Sequence, residues 1–583
     1  MKKIVILGGG VAGMSAAHEL AERGFSVEVY ERQVQYCGGK ARSVNVPNTN
    51  LQKPDAYLPG EHGFRFFPGF YTHVTDTMKR IPYQDSAGNT NKHGCFDNLT
   101  ATSTIMIARN NKKPIITVAS FPRSLKDVEL IIHDMTGGVD SGLSKEEIKF
   151  FAGKVWQLMT SSPMRRENDY ERLGWWYYME ADRFSTNYQH LLVEGLTRTL
   201  VAAQARSAST KTGGNIFLQL IYNMVDPTVN TDRVLNGPTN EKWLNPWINY
   251  LKHLGVQYHF GHTVTEIQME QGRVKSATVI DSKGEKELVT GDYFVLATPV
   301  EKAALLINEE MIQADATLGS VATLAKSVSW MNGVQFYLNE DVTINKGHII
   351  LSDSEWAITC ISQVQFWTDY SLEHRFNGKV KGVLSVDVSD WLYTKYKGKL
   401  AEEYAPDEVV KMVWEQLKAG LNVEGVELLR DDMIEHYYLD RDIQWYGAAG
   451  HNIDQEPLLV NTTNSWTLRP TAETQIDNFF LAGDYVRTNT DLATMEGANE
   501  SARRAVNGII AHSKAAVSLC KVWPLKEPMF FDLLKWYDGI RYAKGLDYTI
   551  EIPWWLKICM IPWTLISIVE GLTKTLIKKI TNH

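Results

Sequence analysis

The apolar run Ile4-Val5-Ile6-Leu7 passes directly into Gly8-Gly9-Gly10-Val11-Ala12-Gly13, a strand ending in G-x-G-x-x-G. An amphipathic segment from Met14 to Arg23 follows, then Gly24, then a second apolar strand from Ser26 to Tyr30 that ends at Glu31. Strand, glycine turn, helix and acid-terminated strand in this order form a unit that holds an adenine dinucleotide. Gly8 permits the tight turn, Gly10 lets the backbone approach a pyrophosphate, and Gly13 lets the helix pack close to the sheet. The helix N-terminus then offers free N–H groups and a positive dipole end to the phosphates. Glu31 is placed to accept the ribose hydroxyls, and an acid there disfavours a 2′-phosphate.

A second glycine turn, Cys37-Gly38-Gly39-Lys40-Ala41-Arg42-Ser43, brings two cations shortly after Glu31-Arg32. Near the other end, Phe479-Phe480-Leu481-Ala482-Gly483-Asp484 reads as a buried strand ending at an acid. Ala493-Thr494-Met495-Glu496-Gly497-Ala498 then opens a helix. Between them lie Thr263-Val264-Thr265-Glu266-Ile267 and the strand Tyr293-Phe294-Val295-Leu296, which closes at Ala297-Thr298-Pro299. Together these segments resemble the flavin amine oxidase and phytoene desaturase superfamily, in family order over most of the chain.

The resemblance implies FAD as cofactor, bound non-covalently because no cysteine lies near the last motif. It implies a fold of α/β class: a Rossmann-like, glutathione-reductase-type FAD domain with an inserted α+β substrate domain. The FAD domain is expected to be discontinuous (1–110, 225–300 and 455–515), with the substrate domain at 111–224 and 301–454 and a C-terminal amphipathic helical tail at 516–583. By the same resemblance Arg42 sits near the FAD phosphates, Gly38 and Gly39 near the flavin, and Arg32 joins Glu31 in the cofactor-binding set. Val264 reads the adenine through its backbone, and Gly483-Asp484 meets the ribityl or pyrophosphate region. Met495, Glu496 and Gly497 neighbour the flavin pyrimidine, where the helix N-terminus stabilises negative charge on the reduced ring.

Composition bounds the rest. The formal net charge of −8, without a basic run, argues against nucleic acid as a partner. Five dispersed cysteines form no C-x-x-C and no disulfide framework, and no His/Cys cluster has metal-ligand spacing, so no metal is expected and a cytoplasmic setting fits. The 17 tryptophans cluster with other aromatics. Trp176, Trp330, Phe336, Trp445 and Trp466 are read as lining a large apolar substrate cavity. Gly60-Glu61-His62-Gly63-Phe64-Arg65 falls where the superfamily places a loop over the flavin. There Glu61 or His62 is a candidate general base and Arg65 a candidate partner for anionic flavin.

A lysine that amine oxidases carry before the last FAD motif has only Lys326 as a counterpart, which points to the branch resembling phytoene desaturases and hydroxysqualene dehydroxylases. The expected reaction is hydride transfer from a lipophilic substrate to flavin N5, with C–C desaturation of an isoprenoid or other apolar chain as first reading. Oxidation of a C–N bond in a lipophilic or cyclic amine, such as dihydropyrrole to pyrrole, is the alternative, and a redox-silent FAD protein or isomerase a third. Oxygen or a quinone would reoxidise the flavin. The uncharged run Ile558 to Val569 contains Pro562 and is too short to span a bilayer. Flanked by Trp554-Trp555 and by Lys574, Lys578 and Lys579, it suits an amphipathic segment at the inner face of the cytoplasmic membrane.

Overall fold

The structure is a computed structural model that describes residues 2–53, 56–116, 125–135, 141–195, 197, 203–226, 230, 232–447 and 450–581. Its organising element is a five-stranded parallel sheet. Strand β1 (Lys3–Leu7) pairs on one side with β2 (Ser26–Glu31), which pairs with Gln257–Phe260. On the other side β1 pairs with Tyr293–Leu296, which pairs with Phe479–Leu481. Ile4 to Leu7 are wholly buried, as expected of a parallel strand covered on both faces. Helix α1 (Val11–Ala21) crosses one face and packs on the helix Met495–Ser513, where Asn499 donates to the Ser15 hydroxyl at 2.8 Å. An antiparallel three-stranded sheet, Thr263–Glu270, Arg273–Ile280 and Lys286–Val289, stands beside this layer.

A second layer is a seven-stranded sheet ordered Ile434–Leu439, Asn332–Leu338, Gly382–Val388, Ile358–Ser362, Ile349–Leu351, Met106–Arg109 and Lys112–Ile116. All its pairings are antiparallel except that between Ile349–Leu351 and Met106–Arg109. A helical unit closes the far side. Its helix Lys145–Thr160 begins with a capping box in which the Ser144 hydroxyl accepts from the Glu147 N–H at 3.2 Å and Glu147 accepts from the Ser144 N–H at 2.7 Å. Helix Thr210–Val225 runs beside it.

The tail docks on this unit. Phe531 packs against Trp156 and Tyr222, and Leu556 and Met560 join the same apolar cluster. Trp554–Thr581 is a single helix with Pro562 inside it, longer than the run read from sequence. Its outward face leaves Trp554, Ile558, Ile561, Leu565 and Val569 more than half exposed, at spacings that share one side of a helix. The side chains of Lys574, Lys578 and Lys579 lie outside the described residues. Among the described residues no helix is long and apolar enough to cross a membrane.

Candidate active site

The two sheets and the helical unit enclose a cavity of about 850 Å³. One arm is a nucleotide cradle. Gly8, Gly9 and Gly10 line it, together with Val11 and Ala12 at the start of α1. That helix begins at Gly10 with no side-chain cap, so its first N–H groups are left for a ligand. Gly8 has φ +114°, and a Cβ there would lie 2.6 Å from the Ala297 carbonyl oxygen. Gly13 does not line the cavity; a Cβ at Gly13 would meet the Gly8 oxygen at 2.0 Å, so it serves the close packing of helix on turn. At the end of β2, Glu31 accepts from the N–H groups of Gly9 (2.8 Å) and Gln33 (2.7 Å). Its burial raises the carboxyl above its ordinary value. Val264, Gly483, Asp484 and Met495 line the same arm, as does Arg32, which pairs with Glu456 at 2.5 Å.

The second arm lies beyond the glycine turns. Its walls come from the loop after Pro59–Glu61, from the seven-stranded sheet, and from the helix Thr210–Val225. Phe64, Phe66, Ile107, Phe217, Ile221 and Ile350 make it apolar, interrupted by His62, Asp232, His348 and Asp387. Burial pushes the Asp232 carboxyl up to about 6 and that of Asp387 up to about 7, and pushes the His348 imidazole down to about 4. The His62 ring lines the cavity while its Nδ1 is ion-paired with Asp440, with Asp442 at 3.7 Å. His62, Asp440 and Asp442 converge closely enough to suggest a cation site. The Arg42 guanidinium, held on both Asp442 oxygens at 2.9 and 2.8 Å, already supplies the positive charge there.

The family model for flavin-containing amine oxidoreductases matches residues 11–510. The chain belongs to this family. Solved structures share its fold. Putrescine oxidase bound to putrescine superposes with a TM-score of 0.56 at 12% identity, covering 88% of this chain and 99% of its own. Cyclohexylamine oxidase from Brevibacterium oxydans IH-35A gives 0.55 at 12% identity, covering 88% and 99%. An oxidoreductase from Methanosarcina mazei gives 0.54 at 13% identity, covering 87% and 100%. A search of curated proteins returned no match. As a member of this family the protein is an FAD-dependent oxidoreductase, and the uncapped helix and glycine cradle fit that cofactor.

Several expected site residues of this flavoprotein stand elsewhere. Arg42 does not line the cavity: Asp442 and the Gly39 carbonyl hold it, and Lys40 is the cation of that turn that reaches the cavity wall. Glu496 turns away from the cavity and accepts the N–H groups of Thr72, His73 and Val74 at 2.7, 2.8 and 2.9 Å, capping the helix His73–Arg80. Gly497 also lies off the wall, with its N–H donated to the Thr494 hydroxyl at 3.2 Å. Glu61 points to the side opposite His62, as neighbours on an extended chain do. There it accepts from the Thr239 N–H (3.0 Å) and hydroxyl (2.8 Å), and burial pushes it up to about 7. Arg65 lines the cavity but is braced on the Lys40 and Ala41 carbonyls.

None of the five aromatics expected in the substrate pocket is among the residues that line this cavity. Trp176 lies in the core of the helical unit under the Arg206 guanidinium. Trp330 packs on Trp391, Phe336 on Trp414, and Trp445 on Trp391, all behind the seven-stranded sheet. Trp466 is covered by Lys211 and Arg487 at 4.1 and 4.7 Å. Lys326 is exposed and off the cavity wall. No cysteine is found among the described lining residues. The residues missed from sequence are Lys40, Asp232, His348, Asp387 and Asp440. Only Lys40, the other cation of its turn, carried a readable signal.

Proposed function

We propose that the protein dehydrogenates a lipophilic substrate, with C–C desaturation of an isoprenoid or other long apolar chain as the first reading. The observation that carries it is the hydrocarbon wall of the second arm, from Phe64 and Phe66 across to Phe217 and Ile350. Such a wall holds a substrate by removing apolar surface from water and fixes it with few polar contacts. FAD, when bound, supplies the two-electron acceptor. The chain's own residues cradle its phosphates at Gly8–Ala12, meet the ribose at Glu31, enclose the substrate and exclude water. Oxygen or a quinone accepts the electrons afterwards.

Oxidation of a C–N bond in a lipophilic or cyclic amine is the second reading. Two carboxyls on the wall, Asp232 and Asp387, favour it, since an ammonium entering an apolar cavity needs an anionic partner. The putrescine and cyclohexylamine oxidases that share the fold are named for amines. In either reading the enzyme sits on the inner face of the cytoplasmic membrane. The tail's exposed apolar face supports this placement, as does its packing behind Thr210–Val225, whose other side lines the cavity.

Anaerobic bleaching of the bound flavin by a panel of polyenes and cyclic amines, presented in liposomes, tests the proposal. Bleaching by isoprenoids supports desaturation, and bleaching by amines alone moves the reading to C–N oxidation. Purified protein that neither carries FAD nor takes it up sinks both.

A further inference from the structure

We propose that His62 is the proton acceptor of the reaction and that Asp440 is the positioning residue that turns its imidazole toward the substrate. The inference rests on the dehydrogenase reading above and assigns the proton that this reading leaves unplaced. A C–H and a neighbouring C–H or N–H must both break. One hydrogen leaves with two electrons as hydride to FAD, the other leaves as a proton to His62 Nε2, and the electron pair left behind becomes the C=C or C=N bond.

The geometry carries the assignment. His62 follows the strand Pro59–Glu61 directly, so chain alternation sends Glu61 into the protein and His62 to the cavity. Its Nδ1 stands in close ion-pair contact with Asp440 Oδ2, without the alignment of a hydrogen bond. The Asp440 carboxylate is itself immobilised: Oδ2 accepts from Asn332 Nδ2 at 2.9 Å and Oδ1 from the Asp442 N–H at 3.2 Å. The two backbones are pinned through one residue. The Gly333 N–H donates to the His62 carbonyl at 2.6 Å, and the Gly333 carbonyl accepts from the Asp440 N–H at 3.1 Å. A Cβ at Gly333 would stand 2.6 Å from the His62 oxygen, so the approach requires glycine. Asp442 is occupied by Arg42. An imidazole whose Nδ1–H faces a carboxylate keeps its basic lone pair on Nε2, and the carboxylate stabilises the imidazolium formed.

The surrounding charges agree. Burial disfavours the His62 cation, but the attraction of the adjacent Asp440 carboxylate outweighs it, with Asp442 helping and Arg65 opposing, and the imidazole ends above its ordinary value. Asp387 and Asp454 also face it; burial pushes them up to about 7 and about 6, and the His62 cation offsets part of that rise. A base of this kind works when neutral, so flavin reduction accelerates as pH rises through that raised value.

The test uses the FAD-loaded full chain and the donor that bleaches the wild type fastest. H62Q is expected to slow flavin reduction by about 10²–10⁴-fold at unchanged FAD content. D440N lowers the pH of the inflection, and D440E restores it in part. A second readout needs no turnover. In ¹⁵N-histidine spectra, with His62 assigned by its loss in H62Q, the neutral ring carries its proton on Nδ1 in the wild type and loses that preference in D440N. Wild-type reduction rates in H62Q overturn the proposal. So does a His62 protonated at Nε2 when neutral, or an inflection unmoved in D440N. A rate loss in D387N with none in H62Q transfers the role to Asp387. A wild type that no donor bleaches refutes the dehydrogenase reading itself, and the proposal with it.

Discussion

Replacing Glu496 separates two roles for an acid that the motif alone places beside the flavin. Its carboxylate is 1% exposed and accepts three consecutive backbone N–H groups, from Thr72, His73 and Val74, as well as contacting His73 Nδ1 at 2.7 Å. These donors open the helix His73–Arg80, where no intrahelical acceptor exists for them. A hydrogen bond to a charged acceptor contributes about 1.5–3 kcal/mol net. Three donors share one carboxylate and water would enter part of the space, so E496A is expected to cost about 4 kcal/mol rather than the full sum. E496Q keeps the shape but sets an amide NH₂ against at least one N–H, for a cost of about 2 kcal/mol. Urea unfolding followed by tryptophan fluorescence measures both, alongside the flavin spectrum and reduction potential of the folded protein. The expected result is lower urea midpoints, E496A lowest, with the flavin bands and potential unmoved. A shifted potential with wild-type stability would refute the capping role and restore the acid to the flavin.

Gly8→Ala meets the Ala297 oxygen at 2.6 Å in a conformation strained for any side chain, so the purified variant should carry little FAD, read from its absorbance near 450 nm relative to 280 nm. Phe336→Ala should lower stability by about 3–5 kcal/mol in urea titrations while leaving donor binding unchanged, because Phe336 is wholly buried behind the sheet. Glu61 is pushed up to about 7, so its favourable contribution to folding is complete below pH 4.5 and is lost as pH rises through 7. E61Q should flatten that part of a pH series of urea midpoints. Changing Ile558, Ile561, Leu565 and Val569 together to serine should abolish co-sedimentation with anionic vesicles and leave the flavin spectrum intact; undiminished sedimentation would count against the membrane reading.

The cofactor half was legible because its demands fall on local backbone. A turn that brings main chain against a phosphate needs glycines at fixed spacing, and Gly8, Gly10 and Gly38 line the cavity. The choice between the two cations of the second turn was not legible, since Asp442, remote in sequence, draws Arg42 away and leaves Lys40 at the wall. Aromatic clustering misled for a related reason. Trp330 and Phe336 lie on or beside a strand of the seven-stranded sheet, and hydrophobicity does not say whether the space they face is filled by Trp391 and Trp414 or left open. Glu61 and His62 looked interchangeable in the motif, and the alternation of an extended chain parts them. The partnership of His62 with Asp440 through Gly333 is a product of tertiary packing that no local pattern announces.

The parallel sheet draws its strands from both ends of the chain, with β1 and β2 inside the first 31 residues and its last strand at Phe479–Leu481. The helix that packs on α1 ends only at Ser513. A ribosome delivers these pieces in order, so the nascent Gly8–Gly13 turn emerges long before the strands and helix that complete its surroundings. Cofactor capture therefore waits for segments made long after the glycine turn itself. Vitamin starvation should show itself as turnover of chains that already carry the Met495–Ser513 helix.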